Sequence, residues 1–432
     1  MEKNGKVYKK FLFVSNQALI GDLAWQVKKE GNEVKYYIND KAQKDVCDGF
    51  VDKTDSWKDQ TEWADVIVFD DTGFGEIADK LRKEGKLVVG GSVYTDNLEH
   101  SREFGQEEMK KLGIVTLPNW NFTDFEEAIK FIKENPGRYV IKPSGHAQNE
   151  KELLFIGQED DGKDVLQVLD HYKKNWSKKI KIFQLQKYAS GVEIAIGAFF
   201  NGEDFITPVN VNFEHKKMFP GEIGPSTGEM GTSMYWSQPN TIFNQTLLKM
   251  KENLTQSGYV GYIDINCIVN SKGIYPLEFT SRFGYPHISI AMEGVMSPWG
   301  EFLHAIASRQ KYDLKTKRGF QIGIVIAVPP FPFNDPEAFK RYSEDAAILF
   351  KKPNMGGVHP CDVKIADNDW RLAGNSGYAL VVTGSGSTMD SARKQVYHRV
   401  KNIMIPNMFY RTDIGLRWYY DSDKLQTWGY IY

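Results

Sequence analysis

Cysteine is scarce in this chain. Its 432 residues hold three, Cys47, Cys267 and Cys361, odd in number and far apart. That argues against a disulfide framework or a cysteine-based zinc site and fits a reducing compartment. Net charge is scarce as well: 54 Lys and Arg stand against 56 Asp and Glu, a formal −2. Nothing therefore draws the whole chain toward nucleic acid or an anionic membrane, and only a local basic patch is left for such contacts. No apolar run approaches membrane-spanning length, and the polar, charged first residues lack the apolar core of a secretory signal. There is no internal repeat, no low-complexity tract and no GxGxxG dinucleotide fingerprint. The expectation is a soluble cytoplasmic protein, 41% hydrophobic and 25% charged, long enough for two to four domains.

The stretch 258–287 organises what is present. Two apolar, β-branched runs flank a Ser-Lys-Gly turn, with Gly273 where the chain reverses, so the pattern predicts a hairpin. Side chains two apart on a strand share a face. Asp264 and Asn266 then point one way on the first strand, Glu278 and Thr280 do so on the second, and Arg282 lies just beyond. Oxygen ligands beside a cation suit Mg²⁺ bridging nucleotide phosphates. The polar outer face of an ordinary hairpin explains the same pattern, and both readings are open at this point.

Strands at 9–14, 33–38, 64–69 and 86–90 alternate with helices at 22–30 and 74–84, which predicts a parallel α/β sheet with right-handed crossovers. Ligands of such sheets sit beyond the carboxyl ends of the strands, here 15–21, 70–73 and 90–92. A helix is expected over 98–112 and another over 124–134 with Asp124 at its start. Residues 138–148 read as a strand ending in Lys142 and then a Ser-Gly loop. That arrangement can hold polyphosphate, or be a surface lysine before a turn. Strands follow at 179–188 and 192–200, the second carrying Glu193 among apolar neighbours, where an acid needs a partner. Residues 214–231 form a long Gly- and Pro-rich loop of the functional kind. Further on come a helix over 294–309, strands at 321–327 and 379–383 and a helix over 387–401. The aromatic tail, 418–420 and 428–432, reads as packing or an interface.

Four motifs in order resemble one family. Pro225-Ser-Thr-Gly-Glu-Met-Gly231 is similar to its PNTGGMG loop, with His215-Lys216-Lys217 ahead of it. Leu277-Glu-Phe-Thr-Ser-Arg-Phe-Gly-Tyr-Pro-His287 resembles EFNxRFGDPE. Asn375 to Gly384 and Tyr410-Arg-Thr-Asp-Ile-Gly415 complete the set. The family is phosphoribosylamine–glycine ligase of purine synthesis, within the ATP-grasp superfamily. The resemblance implies a parallel α/β domain over 1–118, an ATP-grasp lid over 119–190, a central α+β catalytic domain over 191–317 and a C-terminal α+β domain over 318–432. It implies ATP with Mg²⁺ or Mn²⁺ as cofactors, small carboxylate and amine substrates, no membrane or nucleic-acid partner, and a monomer or homodimer. Carried over residue by residue, it gives Lys142, Ser144 and Gly145 to the ATP phosphates and Arg102 to ATP binding. Gln186, Lys187 and Tyr188 go to the adenine and Glu193 to the ribose. Glu278, Asn266 and Thr280 go to the metal. Arg282, with Lys142, goes to the acyl-phosphate step. Lys216, Ser226, Thr227, Gly228, Tyr285 and His287 go to the substrates.

The departures fall mostly where substrates would sit. The first loop, Ser15-Asn-Gln-Ala-Leu-Ile-Gly21, lacks the Arg and paired glycines of the family's GxGGREH. Tyr285 and His287 replace an Asp and a Glu, Thr280 replaces a metal-binding Asn, and the lid loop is shortened to 144–148. The expectation is an ATP-dependent carboxylate–amine ligase with a changed acid or amine. The alternatives are an ATP-binding homologue that has lost ligation, and an enzyme that stops at phosphorylation.

Overall fold

The computed structural model describes the chain apart from residues 1, 4, 5, 145–152, 179 and 432. Three principal sheets carry it. The first has five parallel strands in the order Asp52–Lys53, Glu33–Ile38, Lys10–Ser15, Val66–Phe69, Leu87–Val89. Its central strands are buried on both faces, as parallel strands under helices must be. Phe11 and Phe13 meet Leu23, Ala24 and Val27 of helix Gly21–Lys29, while Leu12 and Val14 meet Ala78 and Leu81 of helix Gly75–Lys83. The period of two thus feeds two cores from one strand.

The single helix expected over 98–112 is two helices, Val93–His100 and Arg102–Lys111. Ser101 between them is extended, at φ −113° and ψ 98°, and its hydroxyl accepts from the Phe104 N–H at 3.2 Å. A serine favours capping a new helix over continuing an old one. The break sets Glu99 and Arg102 on either side of a corner.

The second sheet is antiparallel, ordered Phe155–Ile156, Tyr139–Pro143, Phe183–Lys187, Asn119–Phe122. Helices Phe125–Glu134 and Lys163–Asn175 cover it through Ala128, Ile132, Val165 and Leu169. Asp124 caps the first of these, accepting from the Glu127 N–H at 3.0 Å. The strand expected to begin at 179 begins at Phe183.

The third sheet has eight strands, all antiparallel, from the edge strand Gly273–Thr280 through Gly261–Asn270, Val192–Phe200, Phe205–Glu214, Gly231–Ser237, Phe320–Ala327 and Tyr378–Gly386 to Val358–Pro360. The hairpin expected in 258–287 is its edge pair. The reversal falls at Asn270–Lys272, where the Asn270 side chain accepts from the Lys272 N–H at 2.9 Å; Gly273 already belongs to the second strand. The ladder slips between Asn266 and Cys267, which pair with Glu278 and Pro276. The bulge at Leu277 re-aims Glu278 beside the metal-type oxygens. The 214–231 segment is not loop throughout: it contains a small hairpin, Lys217–Phe219 with Ile223–Ser226. The late helices also differ, running Trp299–Ala307 and Met389–Val400. Among the described residues no helix is long and apolar enough to cross a membrane.

Candidate active site

Four adjacent strands converge on one set of charges. Glu193 starts strand Val192–Phe200, Glu214 ends strand Phe205–Glu214, and Asn266 and Asp264 stand opposite Glu278 and Thr280 across the edge pair. Lys216 reaches back into this set, its Nζ 3.2 Å from Glu193, 3.3 Å from Glu214 and 3.6 Å from Glu278. Burial alone would lower the Lys216 pKa, but Glu193, Glu214 and Glu278 together raise it above the usual lysine value. Burial likewise works against Glu193, yet Lys216 and then Arg417 hold it below the ordinary carboxylate range. Both are charged at neutral pH.

The donors suit a hard cation. Asp264 Oδ1 and Asn266 Oδ1 are buried with no hydrogen-bond partner, beside the carboxylates of Glu214 and Glu278. Among the described residues no three Asp, Glu, His or Cys side chains form a closed metal cage. Magnesium needs none, because it keeps waters and takes phosphate oxygens with one or two carboxylates. Burial and then Glu214 raise the Asp264 pKa, and Thr280 is hydrogen-bonded to that side chain. The Thr280 hydroxyl therefore points first to Asp264.

Lys142 is buried beside Arg102. Burial, then the Arg102 charge, brings the lysine down to about 7. Arg102 Nε and Nη1 are buried without a partner, and burial lowers this guanidinium too, with Glu278 opposing. Lys142 and Arg102 held so closely repel each other when both are charged, and an anion between them relieves that. On strand Phe183–Lys187, Gln186 is buried with Nε2 unpartnered. The Lys187 and Tyr188 N–H groups already donate to Pro118 O at 2.8 Å and Arg138 O at 3.0 Å. Their side chains stack inside the lid: Lys187 Nζ is 4.6 Å from the Tyr139 ring, and Arg138 lies 3.5 Å over Tyr188. The Ser144 N–H donates to Ile182 O at 2.9 Å. Gly145 and the remainder of the short lid loop to Gln148 lie outside the described residues.

At the far end Arg282 Nε lies 3.2 Å from Glu99 and 3.7 Å from Asp71. Tyr285 extends its hydroxyl to Asp70 O at 3.5 Å. His287 is instead a core residue: it stacks on Tyr262 at 4.4 Å, hydrogen-bonds Asn210 at 3.1 Å, and burial depresses it to about 3. Thr227 is buried and folds back on Lys216 O through both N–H and hydroxyl, at 2.8 and 2.9 Å. Ser226 pairs with Lys217 in the small hairpin, and Gly228 is exposed.

Sequence reasoning missed Glu214, Glu99 and Arg417. Glu214 was legible: Asn210, Asn212 and Glu214 share one face of their strand. Arg417 had no local signal. It donates to Glu193 O at 2.7 Å and Glu214 O at 3.0 Å, while its Nε pairs with Asp421 at 3.0 Å. The aromatic tail follows it inward as packing. Trp418 meets the rings of Phe320, Phe213 and Tyr235 at 4.8, 5.4 and 5.6 Å, and Leu425 and Ile431 are buried. A cavity of about 560 Å³ lies elsewhere, between Trp25, Glu293, Lys317 and His359, and none of the expected site residues line it.

The five-stranded parallel sheet and the large antiparallel sheet with its lysine and carboxylate cluster form the architecture of an ATP-grasp ligase, of the carbon–nitrogen bond-forming class. The chain belongs to the phosphoribosylglycinamide synthetase family: the family's ATP-grasp (A) domain matches residues 100–288 and its C domain residues 324–417, together well over half of the chain. It is 25% identical over 354 residues to phosphoribosylamine–glycine ligase of Streptococcus pneumoniae, covering 80% of this chain and 82% of that one. The Listeria monocytogenes enzyme of the same name is 26% identical over 358 residues, with 79% and 81% covered. In fold it resembles the crystal structure of the Thermotoga maritima phosphoribosylamine–glycine ligase, at TM-score 0.71 and 22% identity over 94% of this chain and all of that one. It also resembles the biotin carboxylase domain of Hydrogenobacter thermophilus 2-oxoglutarate carboxylase, solved with MgADP and bicarbonate, at TM-score 0.66 and 14% identity over 99% of this chain and 100% of that one.

Proposed function

We propose that this ligase phosphorylates a carboxylate with ATP and passes the acyl group to an amine, with the acid, the amine or both differing from the glycine and phosphoribosylamine of its named relatives. The observation that carries the ATP half is the buried Lys142–Arg102 pair, in which Arg102 Nε and Nη1 have no partner. Polyphosphate is the ligand that relieves that repulsion. Gln186 offers a free amide donor to the base, and Glu193 a charged acceptor to the ribose hydroxyls. Glu278 and Asn266, with Glu214 beside them, would hold Mg²⁺ or Mn²⁺, which neutralises phosphate oxygens.

A carboxylate oxygen attacks the terminal phosphorus, the bond to ADP breaks and an acyl phosphate forms. The amine nitrogen then bonds to the acyl carbon, phosphate leaves and the nitrogen loses a proton. No protein nucleophile is required; positioning and charge neutralisation do the work. The Arg282 guanidinium suits the developing phosphoanhydride. The changed-substrate half rests on Ser15–Gly21, which brings no Lys or Arg to the acceptor end. ADP release with Mg²⁺-ATP across paired acids and amines, with products identified by mass, tests the proposal. An amide product with stoichiometric ADP is expected. ATP binding without ADP release in any pairing would move the protein to the second reading, an ATP-binding homologue without ligation, which the Thr280–Asp264 hydrogen bond favours.

A further inference from the structure

Arg282 is surrounded by acid. Glu99 and Asp71 flank its Nε at 3.2 and 3.7 Å, and Asp264 acts on it from the adjoining strand. Asp70, next to Asp71, is buried at the end of strand Val66–Phe69; one oxygen takes the Ser15 hydroxyl, and the other, Oδ1, is buried with no partner. Asp71 and Arg282 both act on Asp70, so its orphan oxygen belongs to the same cluster. Four carboxyl groups therefore face one guanidinium, and the loop 15–21 that closes this end adds none of the opposite sign. Asp71, Glu99 and Arg282 are partly open, at 27%, 18% and 27% side-chain exposure.

We infer that the acceptor reaches this end of the site as a cationic primary amine carrying no phosphate, with its ammonium group held by Asp71, Glu99 and the free oxygen of Asp70. This rests on the ligase reading above. A phosphate monoester would meet Asp71 and Glu99 beside a single guanidinium, with Asp70 and Asp264 behind them adding no positive charge, in a low-dielectric corner where like charges repel most. An ammonium meets the opposite field. Burial and then Asp71 raise Asp70 to about 8, so this carboxyl gives up its proton most readily when a cation arrives. Before attack the ammonium passes one proton to a carboxylate of this cluster; the freed nitrogen then bonds to the acyl carbon as phosphate leaves with its electron pair.

The test is calorimetry on the full chain with Mg²⁺ and a non-hydrolysable ATP analogue. The probes are 1,4-diaminobutane and glycinamide as cations and ribose 5-phosphate as the anion. The cations are expected to bind and ribose 5-phosphate is not. Asp71→Asn should weaken the cations about tenfold and leave the nucleotide analogue within about twofold. Glu99→Gln serves as the second variant should Asp71→Asn misfold. Ribose 5-phosphate binding that tightens in Asp71→Asn would overturn the inference, as would no cation binding at all. So would an Asp71→Asn enzyme that loses kcat at unchanged amine KM, because that result assigns Asp71 to positioning Arg282 alone. Cation binding without ADP release in the substrate panel removes the ligase reading and keeps the acidic site. ADP release with a phosphate-bearing amine keeps the ligase and removes the inference.

Discussion

The Lys216 ammonium lies 3.6 Å from the Glu278 carboxylate while also touching Glu193 and Glu214. One internal cation thus neutralises the acids proposed for the metal and the ribose. Three carboxylates so close together would repel one another strongly without it. The consequence is a competition: a divalent ion entering beside Glu278 and Asn266 shares its ligands with Lys216.

Replacing that cation tests the competition. Lys216→Met should bind Mg²⁺ about tenfold more tightly in the absence of nucleotide, equal to ~1.4 kcal/mol, by isothermal calorimetry. Unchanged or weaker Mg²⁺ binding, with a raised KM for the acid or amine, would move Lys216 to substrate binding instead.

Glu278 and Asn266 meet in register beside a bulge, so their substitutions should act alike. Glu278→Gln should lower ADP formation about 100-fold or more, and Asn266→Ala roughly tenfold, both eased in part by high Mg²⁺. Circular dichroism and a denaturation midpoint near wild type would show that folding is intact. Full activity in Glu278→Gln would remove it from the metal site.

If Lys142 meets the phosphates as proposed, the nucleotide step is sensitive to pH. Burial and then the Arg102 charge bring the Lys142 pKa from 10.5 down to about 7. Between these values the unfolded chain keeps the proton that the folded chain has released, so this group's contribution to stability rises with pH across that window. Below about 7 the full cost of the buried ammonium is present. Polyphosphate beside Lys142 restores the charge. ATP binding should therefore take up close to one proton at about pH 8.5 and almost none at about pH 6. Calorimetry in two buffers of different ionisation enthalpy measures it, and no uptake at the higher pH would separate Lys142 from the phosphates.

Most of the architecture was legible because it follows from periodicity. The parallel strands, the Asp124 cap and the edge hairpin each follow from a local pattern; counting two residues at a time put Asp264 with Asn266 and Glu278 with Thr280, but the bulge that sets Asn266 opposite Glu278 has no such signal. The failures are of two physical kinds. Ser101 ends one helix and starts another because its hydroxyl takes a backbone N–H, a local choice that apolar spacing does not show. Arg417 reaches the main chain of Glu193 across more than two hundred positions, and no window of sequence registers that contact. His287 shows the converse: the motif placed it with the substrates, whereas its ring stacks on Tyr262 beneath the sheet.

Arg411 carries the final prediction. It is fully buried, donates to Lys217 O at 2.8 Å, and pairs with Glu222 at 2.6 Å and Asp413 at 2.7 Å. Asp413 in turn accepts from the Gly221 N–H at 3.0 Å. The tail motif thus pins the small hairpin Lys217–Phe219/Ile223–Ser226, and with it the segment that delivers Lys216. Arg411→Ala removes the guanidinium from the Lys217 carbonyl and from Asp413, which keeps the Gly221 N–H. Glu222 is partly exposed and can turn to water, so the loss should be that of about two hydrogen bonds to a charged group, ~2–3 kcal/mol. Amide exchange over residues 217–226 should accelerate by roughly 30- to 100-fold, with the five-stranded parallel sheet unchanged. Arg411→Lys should recover little, because a single ammonium cannot reproduce the fork that reaches Lys217, Glu222 and Asp413 together. Uniform acceleration across the whole chain would instead make Arg411 a general core residue. Exchange confined to the hairpin, with a raised Mg²⁺ requirement for ADP formation, would tie the C-terminal tail to the placement of Lys216.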